Sequence, residues 1–161
     1  MNQKEKEIAS HLIDKFSKEA LDWCEPEKGD WYLFVPANKL VEILLYLKDT
    51  WEFCFDHLVN LSAFDAQEHI EIVYHLYSYR HKQRFTLKVR TSRLQGEVPT
   101  VSTVYPTADF QEREVYDLLG VAFAGHPHLT RIMLPEDWVG HPLLKDYEEG
   151  AEYGGIGTGR K

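Results

Sequence analysis

The chain of 161 residues has a formal net charge of −8 at pH 7, and 43% of its residues are hydrophobic and 13% aromatic. This length fits one globular domain, and such a composition excludes a disordered chain. The acidic balance argues against general binding to nucleic acid or anionic lipid, since both require a dominant positive field.

Cysteine content and hydropathy exclude further classes. Cys24 and Cys54 are too few to hold an iron–sulfur cluster and are not in C-x-x-C spacing, so we expect reduced thiols. The N-terminal stretch has no long apolar core of the signal-peptide kind, and about 18 consecutive apolar residues occur nowhere. We therefore expect another chain to hold the protein wherever it works at a membrane.

The first half of the sequence predicts two helices flanking a strand. Apolar residues recur every fourth position from Lys4 to Trp23, which indicates an amphipathic helix. The aromatic and β-branched run at 31–35 predicts a short strand, and residues 37–50 predict a second, heavily buried helix.

Extended segments follow. Runs at 51–64, 69–79 and 84–92 are predicted strands, and the last two alternate apolar with largely polar residues. Their short connectors favour antiparallel pairing. Residues 100–105 predict a further short strand.

Residues 108–120 (ADFQEREVYDLLG) predict a helix with Thr107 as N-cap and Gly120 as its end. Neither half of this helix is purely polar, which suggests contacts on more than one side. The segment from 121 onward contains three prolines and seven of the ten glycines, and we expect it to be irregular and extended. The prediction is one α+β fold, with helices packed on a mixed, mostly antiparallel sheet in residues 1–120. We expect residues 121–161 to form an extended C-terminal arm that packs on partner chains.

Two candidate chemical sites have ordinary explanations. Strand alternation places Arg84, Lys88 and Arg90 on one face, but a solvated strand face is the usual origin of such a run. The histidines at 126, 128 and 141 are better interpreted as turn anchors than as metal ligands, because no other ligand pattern accompanies them. No G-x-S-x-G, G-x-G-x-x-G or P-loop motif occurs.

The charged helix does not suggest acid–base catalysis by a carboxylate pair. Glu112 and Glu114 lie two residues apart, so on a helix they point in nearly opposite directions. Arg113 and Asp117 have the i, i+4 spacing of an ion pair, and we expect them to pair.

Residues 112–147 (EREVYDLLGVAFAGHPHLTRIMLPEDWVGHPLLKDY) resemble the signature of the 30 kDa subunit family of respiratory complex I, the NADH:quinone oxidoreductase. The matching positions are Glu112, Arg113, Glu114, Tyr116, Asp117, Gly120, Phe123, His126, Pro127, Leu129, Arg131, Ile132, Asp137, Trp138, Gly140, Pro142, Leu143, Lys145, Asp146 and Tyr147. Leu144 stands where the family usually has arginine, and the proline that often follows the tyrosine is absent.

The resemblance implies a non-redox structural subunit in the peripheral arm of a proton-translocating NADH:quinone oxidoreductase. It implies no catalytic, cofactor-binding or metal-binding residue in this chain; FMN, iron–sulfur clusters and a quinone would be bound by other subunits. The implied partners are the 49 kDa-type quinone-pocket subunit and cluster-bearing neighbours, on the cytoplasmic face of a bacterial inner membrane or the equivalent compartment. The residues implied at the partner interface are Glu112, Arg113, Glu114, Tyr116, Asp117, His126, Pro127, Arg131, Trp138, Gly140, Pro142, Lys145 and Asp146.

Two alternatives stay open at the level of sequence. One is the equivalent subunit of a membrane-bound hydrogenase or a ferredoxin-fed photosynthetic relative, because this chain binds neither electron donor nor acceptor in either case. The other is a free-standing module that binds an acidic partner through the basic strand face. The neighbouring chains in a purified complex would distinguish them.

Overall fold

The computed structural model describes residues 3–16, 21–27, 30–148, 150, 152–153 and 156–157. Three helices and nine strands lie in these ranges, and a short 3-10 turn leads into the second helix. In chain order they are α1 (Gln3–Phe16), β1 (Asp22–Cys24), β2 (Tyr32–Phe34), α2 (Leu40–Asp49), β3 (His57–Asp65), β4 (Ile70–Ser78), β5 (Gln83–Thr91), β6 (Glu97–Pro99), α3 (Ala108–Leu119), β7 (Ala122–Ala124), β8 (Glu152–Tyr153) and β9 (Ile156–Gly157).

A five-stranded sheet in the order β1-β2-β5-β4-β3 forms the centre of the fold. Its pairs are antiparallel except for β2 with β5, which run parallel. Two smaller sheets pair β6 with β7 in parallel and β8 with β9 antiparallel. The predicted α+β fold with a mixed, mostly antiparallel sheet is confirmed.

The core lies between one face of this sheet and the helices. On β4 and β5, Ile72 pairs with Val89 and Tyr74 with Leu87, and all four side chains are fully buried. The helices α1 and α2 bury Leu12, Ile43, Leu44 and Leu47 in the same cluster. Each such side chain contributes roughly 1.5–3 kcal/mol by leaving water. None of the helices in the described ranges combines the length and apolar character needed to cross a membrane.

The predicted first helix is too long. Within the described residues α1 ends at Phe16, and Asp22–Cys24 form strand β1 instead, while residues 17–20 lie outside the described residues. The reason is tertiary: Trp23 pairs with Leu33 and stacks on Trp31 with ring centroids 4.7 Å apart. Sheet pairing thus overrides the helical pattern there.

Two other predicted strand segments also differ. Residues 51–55 form a turn after α2, so β3 starts only at His57. Residues 100–105 are irregular rather than a strand. The strand of this region is β6, which ends just before them at Pro99. The backbone N–H of Val101 bonds a glutamate side chain, and the Tyr105 hydroxyl donates to the carbonyl of Phe55 at 2.7 Å. These tertiary bonds replace a strand ladder.

Helix α3 has the predicted bounds, and Gly120 ends it in the left-handed conformation (φ 78°), as expected. Thr107 makes no N-cap bond, however; its hydroxyl lies 3.5 Å from the Leu58 carbonyl on β3. One turn further, Gln111 Oε1 accepts the N–H of Leu61 at 3.0 Å. The helix therefore lies along β3, the last strand of the sheet.

The arm begins inside the core. Val121 and Phe123 are buried in the same apolar cluster as the sheet, and β7 carries Phe123 alongside β6. From 125 to 148 the backbone consists of turns and irregular segments. The division into a core of 1–120 and a partner-bound arm of 121–161 stays a prediction.

Candidate functional site

Helix α3 is covered on two sides, which explains its mixed polarity. Ala108, Glu112, Val115, Asp117 and Leu119 are buried, whereas Phe110 and Glu114 are exposed. The sheet covers one side and the arm covers another. The expectation of contacts on more than one side is met within this chain, by its own arm.

Asp117 fastens the arm to α3. Its carboxylate is fully buried, and Oδ2 accepts the consecutive N–H groups of Ile132, Met133 and Leu134 at 3.0, 2.8 and 2.9 Å. Oδ1 accepts Nη1 of Arg131 at 2.8 Å. Burial alone would favour the neutral acid, but these donors outweigh burial and lower the pKa of Asp117. The site therefore holds a charged, fully bonded carboxylate.

The arm also covers the C-terminus of α3. His141 donates its Nδ1–H to the Asp117 carbonyl at 2.9 Å, and the Leu143 N–H donates to the Leu118 carbonyl at 3.0 Å. These carbonyls belong to the last turn, which has no partner inside the helix. A Cβ on Gly120 would lie 2.7 Å from Cδ2 of His141, so glycine is required there for space as well as for its positive φ.

Asp65, at the end of β3, fastens the arm at a second point. Its side chain is 1% exposed, and it accepts the N–H groups of Gln67 at 2.8 Å and Lys145 at 2.9 Å. Arg93 donates to it at 2.8 Å and also reaches Asp146 at 2.5 Å. Burial opposes the charge of Asp65, but these bonds prevail and lower its pKa.

Glu112 has a different environment although it lies five residues before Asp117 on α3. It is fully buried, and its only hydrogen bonds within the described residues come from the Val101 N–H at 2.7 Å and the Thr100 hydroxyl at 2.5 Å. Nε2 of His126 lies 3.8 Å from Oε2. Burial raises the pKa of Glu112 to about 7, against the lowering effect of the two bonds. Burial, and then the charge of Glu112, raise the pKa of the buried Tyr74.

The expected pairing of Arg113 with Asp117 is wrong. Arg113 instead donates to the Thr130 carbonyl at 3.1 Å and to its hydroxyl at 2.8 Å. Asp117 pairs with Arg131, which also donates to the Gly140 carbonyl at 3.2 Å. The i, i+4 spacing allowed an ion pair, but the arm brings a guanidinium and three N–H groups to the same carboxylate.

The structure brings most of the predicted interface residues together around α3 and the arm, but in different environments. Glu112 and Asp117 are fully buried, and the His126 side chain is 0% exposed. Glu114, Pro127, Gly140, Lys145 and Asp146 are exposed, while Arg113, Tyr116, Arg131, Trp138 and Pro142 are half-buried. Their role at a partner interface stays a proposal.

Sequence reasoning missed Asp65, Arg93 and Thr100, each of which has a partner 12 to 80 residues away along the chain. Asp65 directly follows a predicted strand, a position that gives no signal of a distant partner. The basic strand face is partly neutralised, because Lys88 and Arg90 both pair with Glu71, at 3.0 and 3.1 Å.

The predicted turn-anchoring histidines do not converge on a common metal position. Nδ1 of His126 accepts the His128 N–H at 3.1 Å, and His141 is bonded to α3. Across the described ranges, no group of three or more His, Cys, Asp or Glu side chains is arranged to hold a metal ion.

Comparison with known proteins gives a consistent result. Residues 33–153 match the family model described as the 30 kDa subunit of respiratory-chain NADH dehydrogenase. A relative from Roseiflexus sp. (strain RS-1), named as a subunit of NADH-quinone oxidoreductase, is 40% identical over 128 residues, covering 78% of this chain and 74% of the relative. The subunit of the same name from Moorella thermoacetica is 44% identical over 124 residues, covering 76% and 82%.

Two solved structures share the fold. A trypsin-resistant fragment (1–134) of Nqo5 superposes with a TM-score of 0.64 at 24% identity, over 76% of this chain and 99% of that chain. A chain of the membrane-bound sulfane sulfur reductase, an archaeal respiratory membrane complex, superposes with a TM-score of 0.67 at 26% identity, over 84% and 79%.

Proposed function

Since the chain belongs to the family of the 30 kDa subunit of respiratory-chain NADH dehydrogenase, we propose that it is a non-redox docking subunit of that complex. As one of the subunits of NADH:quinone oxidoreductase, it is part of an enzyme complex. In the proposal it supplies no catalytic group and holds neighbouring subunits in place. FMN, iron–sulfur clusters and quinone are bound by those neighbours.

One observation carries the proposal: the outer side of α3 and the arm exposes several large apolar side chains. Phe110 is 66% exposed, Met133 61%, Val139 85% and Leu143 54%. Backbone N–H groups of the same segment point inward, where Asp117 binds that of Met133 and Asp65 binds that of Lys145. An apolar outer surface held in place by inward polar bonds is typical of a docking surface.

The predicted interface residues divide into two roles in this proposal. Glu112, Asp117, His126 and Arg131 shape the arm from inside. The residues that contact the partner together with the apolar side chains are Arg113, Glu114, Tyr116, Pro127, Trp138, Gly140, Pro142, Lys145 and Asp146. The partner is the 49 kDa-type quinone-pocket subunit, with cluster-bearing chains nearby, on the cytoplasmic face of the membrane or its equivalent.

A second candidate is the corresponding subunit of a related membrane complex with a different electron donor. The likeness to a chain of the membrane-bound sulfane sulfur reductase favours this candidate. The free-standing acidic-partner module has less support, because Lys88 and Arg90 already pair with Glu71 of the same chain.

The test replaces exposed leucines in two places. Leu143→Ser on the arm removes part of the docking surface, whereas Leu45→Ser on α2 makes the same change at a leucine that is 42% exposed. Both isolated chains should unfold at nearly the same urea concentration as the wild type, because exposed side chains contribute little to folding. The yield of complex on a native gel should fall severalfold for Leu143→Ser only. Equal yields for the two variants would exclude this surface as the docking site.

A further inference from the structure

We propose that the carboxyl group of Glu112 is a buried proton-exchange site, which solvent protons reach through the hydroxyl groups of Ser102 and Thr100. The site is a property of this chain alone. It holds whether or not the docking surface proposed above is correct.

Among the residues that the structure describes, no lysine or arginine forms an ion pair with the Glu112 carboxylate. The nearest basic group is His126, whose Nδ1 accepts the His128 N–H, so a ring proton lies on Nε2. That Nε2–H donates to the Asp109 carbonyl at 3.2 Å and lies 3.8 Å from Glu112.

The other described elements packed around Glu112 bring no cation either. Strand β4 contributes the neutral hydroxyl of Tyr74, which has no hydrogen-bond partner among the described residues. Asp109, one turn earlier on α3, adds a repelling charge. A carboxylate in such surroundings takes up a proton at a pH well above the ordinary range, because only two hydrogen bonds oppose the cost of burying its charge.

A chain of hydroxyl groups connects Glu112 with a less buried position. Thr100 Oγ1 lies 2.5 Å from Glu112 Oε2 and 2.8 Å from Ser102 Oγ. The side chain of Thr100 is buried with Glu112, whereas Ser102 is only half-buried. Since Thr100 gives its single proton to the carboxylate, Ser102 must be the donor in the second bond. Both hydroxyls therefore point their protons toward Glu112.

Proton uptake along this chain is balanced. Solvent gives one proton to Ser102 Oγ, the Ser102 proton passes to Thr100 Oγ1, and the Thr100 proton passes to Oε2 of Glu112. Each hydroxyl breaks one O–H bond and forms another, so the net change is one proton bound by the carboxylate. After uptake, the protonated Glu112 donates to Thr100 and Thr100 donates to Ser102, so the direction of both hydrogen bonds is reversed. Proton release follows the same path in the opposite direction.

The site is tested by carbon NMR of the full chain, with the carboxyl carbons of glutamate labelled. We expect one glutamate signal to titrate near pH 7, to vanish in Glu112→Gln and to persist in Glu114→Gln, the exposed matched control on the same helix. The amide spectrum of Glu112→Gln checks that the variant is folded. If every glutamate titrates below about pH 5.5, within the range usual for this residue, the site does not exist.

The route is tested by exchange broadening of the Glu112 signal at its midpoint pH. Ser102→Ala should slow proton exchange severalfold and leave the midpoint in place, because Ser102 does not contact the carboxylate. Thr100→Val should slow exchange and also raise the midpoint, since it removes a bond to the ionised form. Ser62→Ala, at an exposed serine on β3, should change neither. Unchanged exchange in both Ser102→Ala and Thr100→Val would overturn the route.

Discussion

The N-terminal and C-terminal halves of helix α3 bury one carboxylate each, and the two carboxylates favour opposite charge states. Glu112 and Asp117 are both 0% exposed, yet burial raises the pKa of the first to about 7, while hydrogen bonds lower the pKa of the second. Asp117 receives three backbone N–H groups and a guanidinium, whereas Glu112 receives one N–H and one hydroxyl. The number and charge of the donors, not burial itself, decide whether a buried acid is ionised.

Removing the charge of Asp117 should have the largest effect on the free energy of unfolding. Asp117→Asn turns an amide NH₂ group toward backbone donors and leaves Arg131 without its countercharge. We expect a loss of about 3–5 kcal/mol in the free energy of unfolding, the usual cost of removing one member of a buried charge pair. Urea denaturation of the full chain measures it. Glu114→Gln, at the exposed face of the same helix, should stay within about 0.5 kcal/mol of the wild type. A similarly small change for Asp117→Asn would show that the arm is held by other contacts.

The pH dependence of the free energy of unfolding should distinguish Glu112 from Asp117. The folded-state pKa of Glu112 is raised from 4.5 to about 7, so its contribution is present below pH 4.5 and is lost as the pH rises through 7. The difference of 7 − 4.5 = 2.5 corresponds to an upper bound of roughly 3 kcal/mol. The lowered pKa values of Asp117 and Asp65 act in the opposite sense, and their contributions are lost as the pH falls into the acid range.

Glu112→Gln should therefore flatten the decline between about pH 5 and 8 and leave the acid loss in place. Unfolding free energies from urea titrations at a series of pH values measure both slopes. An unaltered decline in the variant would mean that another group titrates there.

Replacing Arg113 or Arg131 should show the smallest of these differences in the free energy of unfolding. Both connect the arm to its surroundings, but Arg113 bonds an exposed threonine, and Arg131 bonds the buried carboxylate. Arg113→Ala should cost about 1 kcal/mol or less in the isolated chain, because water replaces its two bonds. Arg131→Ala should cost more, since it leaves Asp117 with backbone donors only. Equal losses in thermal or urea unfolding would contradict this ranking.

Local patterns predicted the elements whose structure depends on nearby residues. The helices α2 and α3, the strands β4 and β5 and the left-handed end at Gly120 follow from periodicity and glycine geometry. Strand β1 could not be predicted, because its conformation depends on pairing with β2. The chemistry of α3 was equally hidden: Arg113 had suitable spacing to Asp117, but residues 131–134 of the arm bind that carboxylate instead.

The run that resembles the family contains one of the two carboxylates that hold the arm, but not the other. Residues 112–147 contain Asp117, whereas its counterpart Asp65 lies outside that run and bonds Lys145, 80 positions later. A single sequence contains no signal for such a contact. The predicted ordering of the arm by partners stays untested, although its described residues up to 148 already make many bonds within the chain.

The position of α3 along β3 also bears on the life of the chain before assembly. An outer strand with free N–H and carbonyl groups is a template on which a second copy can add its own strand, and such growth leads to aggregates. Gln111 occupies the N–H of Leu61, and Thr107 lies against the carbonyl of Leu58. The opposite outer strand, β1, has only three residues. A newly synthesised chain thus offers fewer free backbone groups on its outer strands for a second copy to extend.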